Sequence, residues 1–177
     1  MTRLSEPMEF LKIVLGCVIA AVLYGIIHDQ FTARICLQYF TVFHPPVFVT
    51  QSPTLLGIGW GIIATWWMGA FLGLPIACAA RAGRAPKLTF VQLMPLIGRL
   101  LAFMAICAVA AGILGYAFGA MPAGSLDAIP VDMDHRCAAD WWAHSASYAG
   151  GFLGALVLCA IIVAKRISLS KVRKVHP

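Results

Sequence analysis

The chain has 177 residues, of which 61% are hydrophobic and only 11% charged, and its net charge is +6. A water-soluble domain carries about a quarter charged residues, and the mean hydropathy here is +0.88, so a soluble globular fold is excluded. The basic balance needs no nucleic-acid partner, because the cations sort along the chain in a way that a lipid bilayer explains.

Between positions 35 and 80 there is no Asp, Glu, Lys or Arg, and between 88 and 126 the only one is Arg99. Crossing about 30 Å of hydrocarbon takes roughly 20 apolar residues. Four stretches supply them, approximately 10–27, 55–80, 91–118 and 145–164. Backbone polar groups must be satisfied within the segment in lipid, so these are helices. The expectation is one integral membrane domain over 1–177, an all-α four-helix transmembrane bundle with two extracytoplasmic loops.

The N-terminal "MTRLSEPMEFLK" carries Glu6 and Glu9, and no small-x-small cleavage site follows the apolar run. The first span therefore reads as a retained helix, not a signal peptide. It ends in "HDQFTARICLQYFTVFHPP". If the helix continues past position 27, about 100° per residue puts Cys17, Ala21, Tyr24, His28 and Thr32 on one face. Small residues below His28 on that stripe direct its imidazole into the bundle. Asp29 is turned by about 100° and is expected to share that seam only in part. His44-Pro45-Pro46 and Ser52-Pro53 mark a loop before the second span.

The second span carries Gly57 and Gly61, then Gly69 and Gly73, spacings that allow close helix approach; Pro75 is expected to kink it. The short loop "RAGRAPK" follows. The third span holds Arg99, which can snorkel to the interface, and the small pairs Ala108/Gly112 and Gly115/Gly119. Beginning the last helix near Cys137 places Cys137, Asp140, His144, Ser147 and Gly151 on one face; Gly150 and Gly154 give it another small pair. Tyr39, Phe40, Phe43, Tyr116, Phe118, Trp141, Trp142 and Tyr148 gather where an aromatic belt belongs. The tail "KRISLSKVRKVHP" offers Lys165, Arg166, Lys171, Arg173 and Lys174 to lipid headgroups, at about 1 kcal/mol per cation.

Ten of the thirteen Lys and Arg residues flank the first span, fill the second loop or follow the last span. The positive-inside rule makes that side cytoplasmic and both termini N-in/C-in, in a bacterial inner membrane. The opposite loops hold five of the seven acids, Cys36, Cys137 and four of the five histidines, His28, His44, His135 and His144. Imidazole and carboxylate together suit Zn, Mn, Fe or Cu, so the expected metal ligands are His28, Asp29, His135, Asp140 and His144. Ferritin-like bundles hold metals with similar groups on facing helices, although no Glu-x-x-His is present. A haem gripped by His28 and His144 is the cofactor alternative. The same residues admit a plainer reading: Asp140 suits the positive end of its helix, and an Asp–His pair one turn apart can pin that helix.

Cys36 and Cys137 are candidates for a disulfide between the two outer loops; Cys17, Cys78, Cys107 and Cys159 read as small apolar packers. With no C-x-x-C and no hydrolase, phosphate-loop or zinc-protease motif, catalysis is left open. A rival from another class is an accessory subunit whose glycine seams bind partner helices or a second copy of the chain. A transporter has least support, since the spans hold few mid-membrane polar groups.

At "HDQFTARICLQYFTVFHPP", "TQSPTLLGIGWGIIATWWMGAFLGLP" and "WAHSASYAGG" the chain resembles an uncharacterised family of bacterial multi-pass membrane proteins. That resemblance implies a bacterial origin and a membrane location, and it transfers no catalytic residue.

Overall fold

The computed structural model describes residues 5–119 and 134–175. The described residues form six helices: α1 (Ser5–Ile35), α2 (Leu37–Thr41), α3 (Pro53–Ile63), α4 (Trp66–Arg81), α5 (Phe90–Phe118) and α6 (Asp134–Val175). Four stretches are long and apolar enough to cross a membrane: Glu6–Ile35, Pro53–Arg81, Phe90–Phe118 and His135–Val172.

These run beyond the apolar cores visible in the sequence. Helix α1 continues for two turns past Ile27, and α6 starts at Asp134, well before position 145. In both extensions polar residues face inward while the helix ladder goes on. Ser52 caps α3, with Pro53 at its first position, where the missing N–H costs nothing. Thr89 and Gln92 form a capping box on α5. Among the described residues Gly83 alone has a positive φ (76°), which lets the chain reverse sharply after α4.

Helix α4 continues through Pro75; the interruption of the second span falls earlier, at Ala64 and Thr65. There the Thr65 hydroxyl donates to Gly61 O at 2.5 Å, and the Tyr148 hydroxyl donates to Ala64 O at 3.3 Å. Side chains thus take up carbonyls at the break.

Helices pack in two pairs, α1 along α3 and α4, and α5 along α6, and the pairs meet chiefly through α4 and α6. Glycines make the first pairing. A Cβ at Gly61 would lie 2.5 Å from Ile26 N, and one at Gly69 would lie 2.7 Å from Val18 Cα. No side chain fits there, so two backbones touch, the contact that lipid cannot replace. Gly115 sits equally close to Ala138 O and Trp142, and Gly154 against Leu100. Gly61, Gly69, Gly115 and Gly154 are thus used in contacts within the chain, whereas a Cβ at Gly150 would meet nothing closer than 3.8 Å.

The basic end is tied by ion pairs and backbone contacts. Arg166 is only 5% exposed. Its guanidinium donates to Ala79 O, Ala82 O, Pro86 O and Ala85 O at 2.5–3.1 Å. This corrects the expectation that Arg166 meets lipid headgroups, because α6 brings it under the α4–α5 turn, whose carbonyls it closes. Lys165 and Lys171 do stay exposed. The headgroup expectation for Arg173 and Lys174 falls outside the described side chains. Arg81 and Lys87 share Glu6 Oε2 at 2.6 and 2.8 Å.

Two buried apolar clusters occupy the ends of the bundle. One includes Ile13, Leu88, Leu93 and Ile162 near the basic end; the other includes Ala33, Cys36, Tyr39, Phe40, Leu56, Trp60 and Cys137 at the far end. Tyr39 and Phe40 are buried. They are a cap over the bundle and not part of an aromatic belt, because α2 turns inward directly after α1. Cys36 and Cys137 are joined as a disulfide, with Cα atoms 5.2 Å apart.

Candidate metal centre

Between the two apolar clusters, under the cap, lie His28, Asp29 and His144. Each offers one ligand atom, and these atoms all fall within 4.8 Å of one another. The set is largely buried, with Asp29 5% exposed, and His28 is turned into the bundle as its stripe of small residues suggested. The stripe Cys17–Ala21–Tyr24–His28–Thr32 on α1 and the stripe Cys137–Asp140–His144–Ser147–Gly151 on α6 are both turned inward. One turn below the imidazoles they are linked by Tyr24 Oη and Ser147 Oγ at 2.8 Å. The His28 and His144 rings meet edge to face, with centroids 4.6 Å apart.

His144 is held from both sides. Its Nδ1 lies 2.8 Å from the backbone carbonyl of Asp140. A carbonyl only accepts, so Nδ1 carries a proton and Nε2 is the nitrogen turned to the centre. Fixing a ring tautomer through a backbone carbonyl is how protein sites prepare a histidine ligand. Nε2 faces Asp29 Oδ1 at 3.3 Å. A charge-assisted N–H···O bond closes to about 2.8 Å. Two ligands about 2.1 Å from a tetrahedral ion stand about 3.4 Å apart. The observed 3.3 Å is a long hydrogen bond and is also the spacing of two ligands on one ion. His28 Nε2 is buried with no partner, so a second imidazole nitrogen is also left open.

Asp29 enters the group more fully than its rotation on α1 suggested. Gly57 brings the α3 backbone against the backbone of Asp29, which holds that flank of α1 away from lipid, and the carboxylate reaches across to α6. Asp140 behaves differently. Its side chain is fully buried and neither carboxylate oxygen has a partner, yet it is outside the three-residue group; its contribution to His144 comes through its backbone oxygen. His135 is a correction. It is exposed, and its Nδ1 lies 3.0 Å from Tyr116 O on α5, because its position at the first turn of α6 points it away from the Asp140–His144 face. The haem alternative is corrected as well, since imidazoles in edge-to-face contact leave no slot for a macrocycle between them.

Two residues left out of the expected ligand set belong to the surroundings. His44 packs on Trp60 with centroids 4.5 Å apart, and its Nδ1 donates to Tyr39 O at 2.7 Å. Tyr39 in turn stacks on His144 at 4.5 Å. Burial first, and then the Asp140 carboxylate, push the Tyr39 phenol far above its ordinary value, so it stays a protonated donor. Burial holds His44 below its ordinary 6.5, against the opposing effect of its bond to Tyr39 O. The rigid Pro45-Pro46 pair after His44 is the sequence signal for this return, since it bends the loop back over the end of α1.

A cavity of about 120 Å³ runs from this group down between α1, α4, α5 and α6, reaching Cys17 and Ile76. His28 also borders a wider groove, of about 890 Å³, between α1 and the α5–α6 pair. No protein-family model, curated protein or solved structure matches the chain.

Proposed function

We propose that this is a small integral-membrane metalloprotein in which His28, Asp29 and His144 bind one divalent transition metal at the extracytoplasmic end of the bundle. The carrying observation is that His28, Asp29 and His144 each bring a ligand atom within 4.8 Å of the other two, together with the carbonyl that orients His144. Two imidazoles and one carboxylate form a set suited to non-haem Fe(II), and close to the His and carboxylate ligands of catalytic zinc; Mn accepts the same donors. Both outer cysteines are committed to each other, so no thiolate is present to favour Cu(I). Three protein ligands leave coordination positions open for a small molecule.

The side is inferred from charge: the group sits at the end opposite Arg81, Lys87 and Lys165, and the positive-inside rule makes that the outer end. Metal analysis of detergent-purified protein tests the reading. About one equivalent is expected in the wild type, falling at least tenfold in His28→Ala and His144→Ala. Less than roughly a tenth of an equivalent of every transition metal in freshly reconstituted wild type sinks it.

A further inference from the structure

The cavity beneath the metal ligands has its own character. From His28 to Cys17 along α1 it descends about 16 Å, and its walls change on the way. Near the ligands they are the flat faces of Tyr39, Trp60 and His44; lower down they are aliphatic. Ala64 and Thr65, the break in the second span, lie on the same wall. A Cβ on Gly25 would lie 2.5 Å from the Thr65 methyl group, which puts the break one turn below His28. Non-helical backbone at membrane depth persists only where protein shields it or where it lines a cavity, and interrupted spans recur at ligand sites.

Size and access narrow the occupant. About 120 Å³ is close to the roughly 150 Å³ apolar cavity that takes benzene, so a single six-membered ring fits and a phospholipid headgroup does not. Aromatic walls favour a planar ring by stacking, and the Tyr39 hydroxyl, on a residue that lines the cavity, can donate to a ring oxygen. Helices α4 and α5 scarcely touch. Met68 and Met104, one on each, line the cavity half-buried, which gives an apolar tail a route to the bilayer.

We propose that this chamber binds a lipid-phase quinone or quinol, its ring under the metal ligands and its tail leaving between Met68 and Met104. The assignment rests on the metal reading for what meets the ring oxygens, namely the open coordination positions beside His28.

The test is a calorimetric titration of full-length protein in detergent with decylubiquinone, with metal content measured on the same samples. Saturable binding is expected in the wild type. Met68→Trp and Met104→Trp, which fill the tail route from two different helices, are expected to bind at least about tenfold more weakly with unchanged metal content and elution profile. Wild-type protein that holds metal but takes up no quinone, or filled variants with wild-type affinity, overturns the chamber and leaves the metal reading standing. Quinone binding by wild type that holds no metal overturns the metal reading alone. Displacement of decylubiquinone by equimolar oleate overturns the ring assignment in favour of an acyl chain.

Discussion

At the basic end of the bundle the Arg166 guanidinium meets four backbone carbonyls and Glu6 meets both Arg81 and Lys87; among the described residues Arg81 Nε is the one buried side-chain atom there without a partner. At the opposite end His28 Nε2 and the Asp140 carboxyl are buried without a close hydrogen-bond partner, and His144 meets Asp29 only across a long 3.3 Å contact. The same chain therefore treats buried polarity in two ways. Where groups are saturated they hold turns and helix ends together. Where they are left open, in a dry setting in which each unpaired group costs about 1–3 kcal/mol, they point to an occupant that completes them.

Breaking the saturated end should cost most. Arg166→Ala leaves the α4–α5 turn with unpaired carbonyls, and a loss of about 3 kcal/mol is expected, read as a lower melting midpoint in detergent with metal content unchanged. Arg166→Lys should recover only part of it, because an ammonium lacks the planar fork. Asp140→Asn sharpens the contrast from the other end. Exchanging a buried carboxyl for its isosteric amide is expected to leave stability within about 0.5 kcal/mol, and metal affinity within about threefold, because the backbone oxygen that orients His144 is kept. Calorimetric metal titration and a melting curve read both; an Asp140→Asn protein as fragile as Arg166→Ala would erase the distinction.

The smallest effect concerns His44. Burial depresses its folded value below the ordinary 6.5, and the charge of His144 acts in the same direction, while the bond to Tyr39 O and the Asp29 carboxylate oppose it. The unfolded chain then takes up this proton at a higher pH than the folded one. The stability from keeping His44 neutral is present above 6.5 and is lost as pH falls through the folded value. Melting midpoints should decline on acidification, and less steeply in His44→Asn, whose amide still offers a donor to Tyr39 O. Equal slopes would mean that the cap is wet.

Membrane thickness made the four spans legible, since it demands long uncharged runs whatever the neighbours are. The 100° spacing made the inward stripes of α1 and α6 legible too. The break at Ala64–Thr65 was not, because no Gly or Pro marks it; a hydroxyl folded onto Gly61 O does. His44 escaped because a loop that returns over a helix end leaves no period. His135 was misplaced because polarity says nothing of direction in the first turn of a helix, and Arg166 because a run of cations hides the one member whose helix carries it beneath a turn.

Cys36 lies eight residues beyond His28, and Cys137 lies seven before His144. Their bond is thus a staple about two helical turns, or about 11 Å, above the ligands. It closes a covalent ring that encloses α2 to α5 and leaves α1 and α6 as its two free arms. Tyr39, Phe40 and Trp60 pack beneath that staple, so an occupant of the centre has an approach to His28 along the groove between α1 and the α5–α6 pair, beside the staple and not through it.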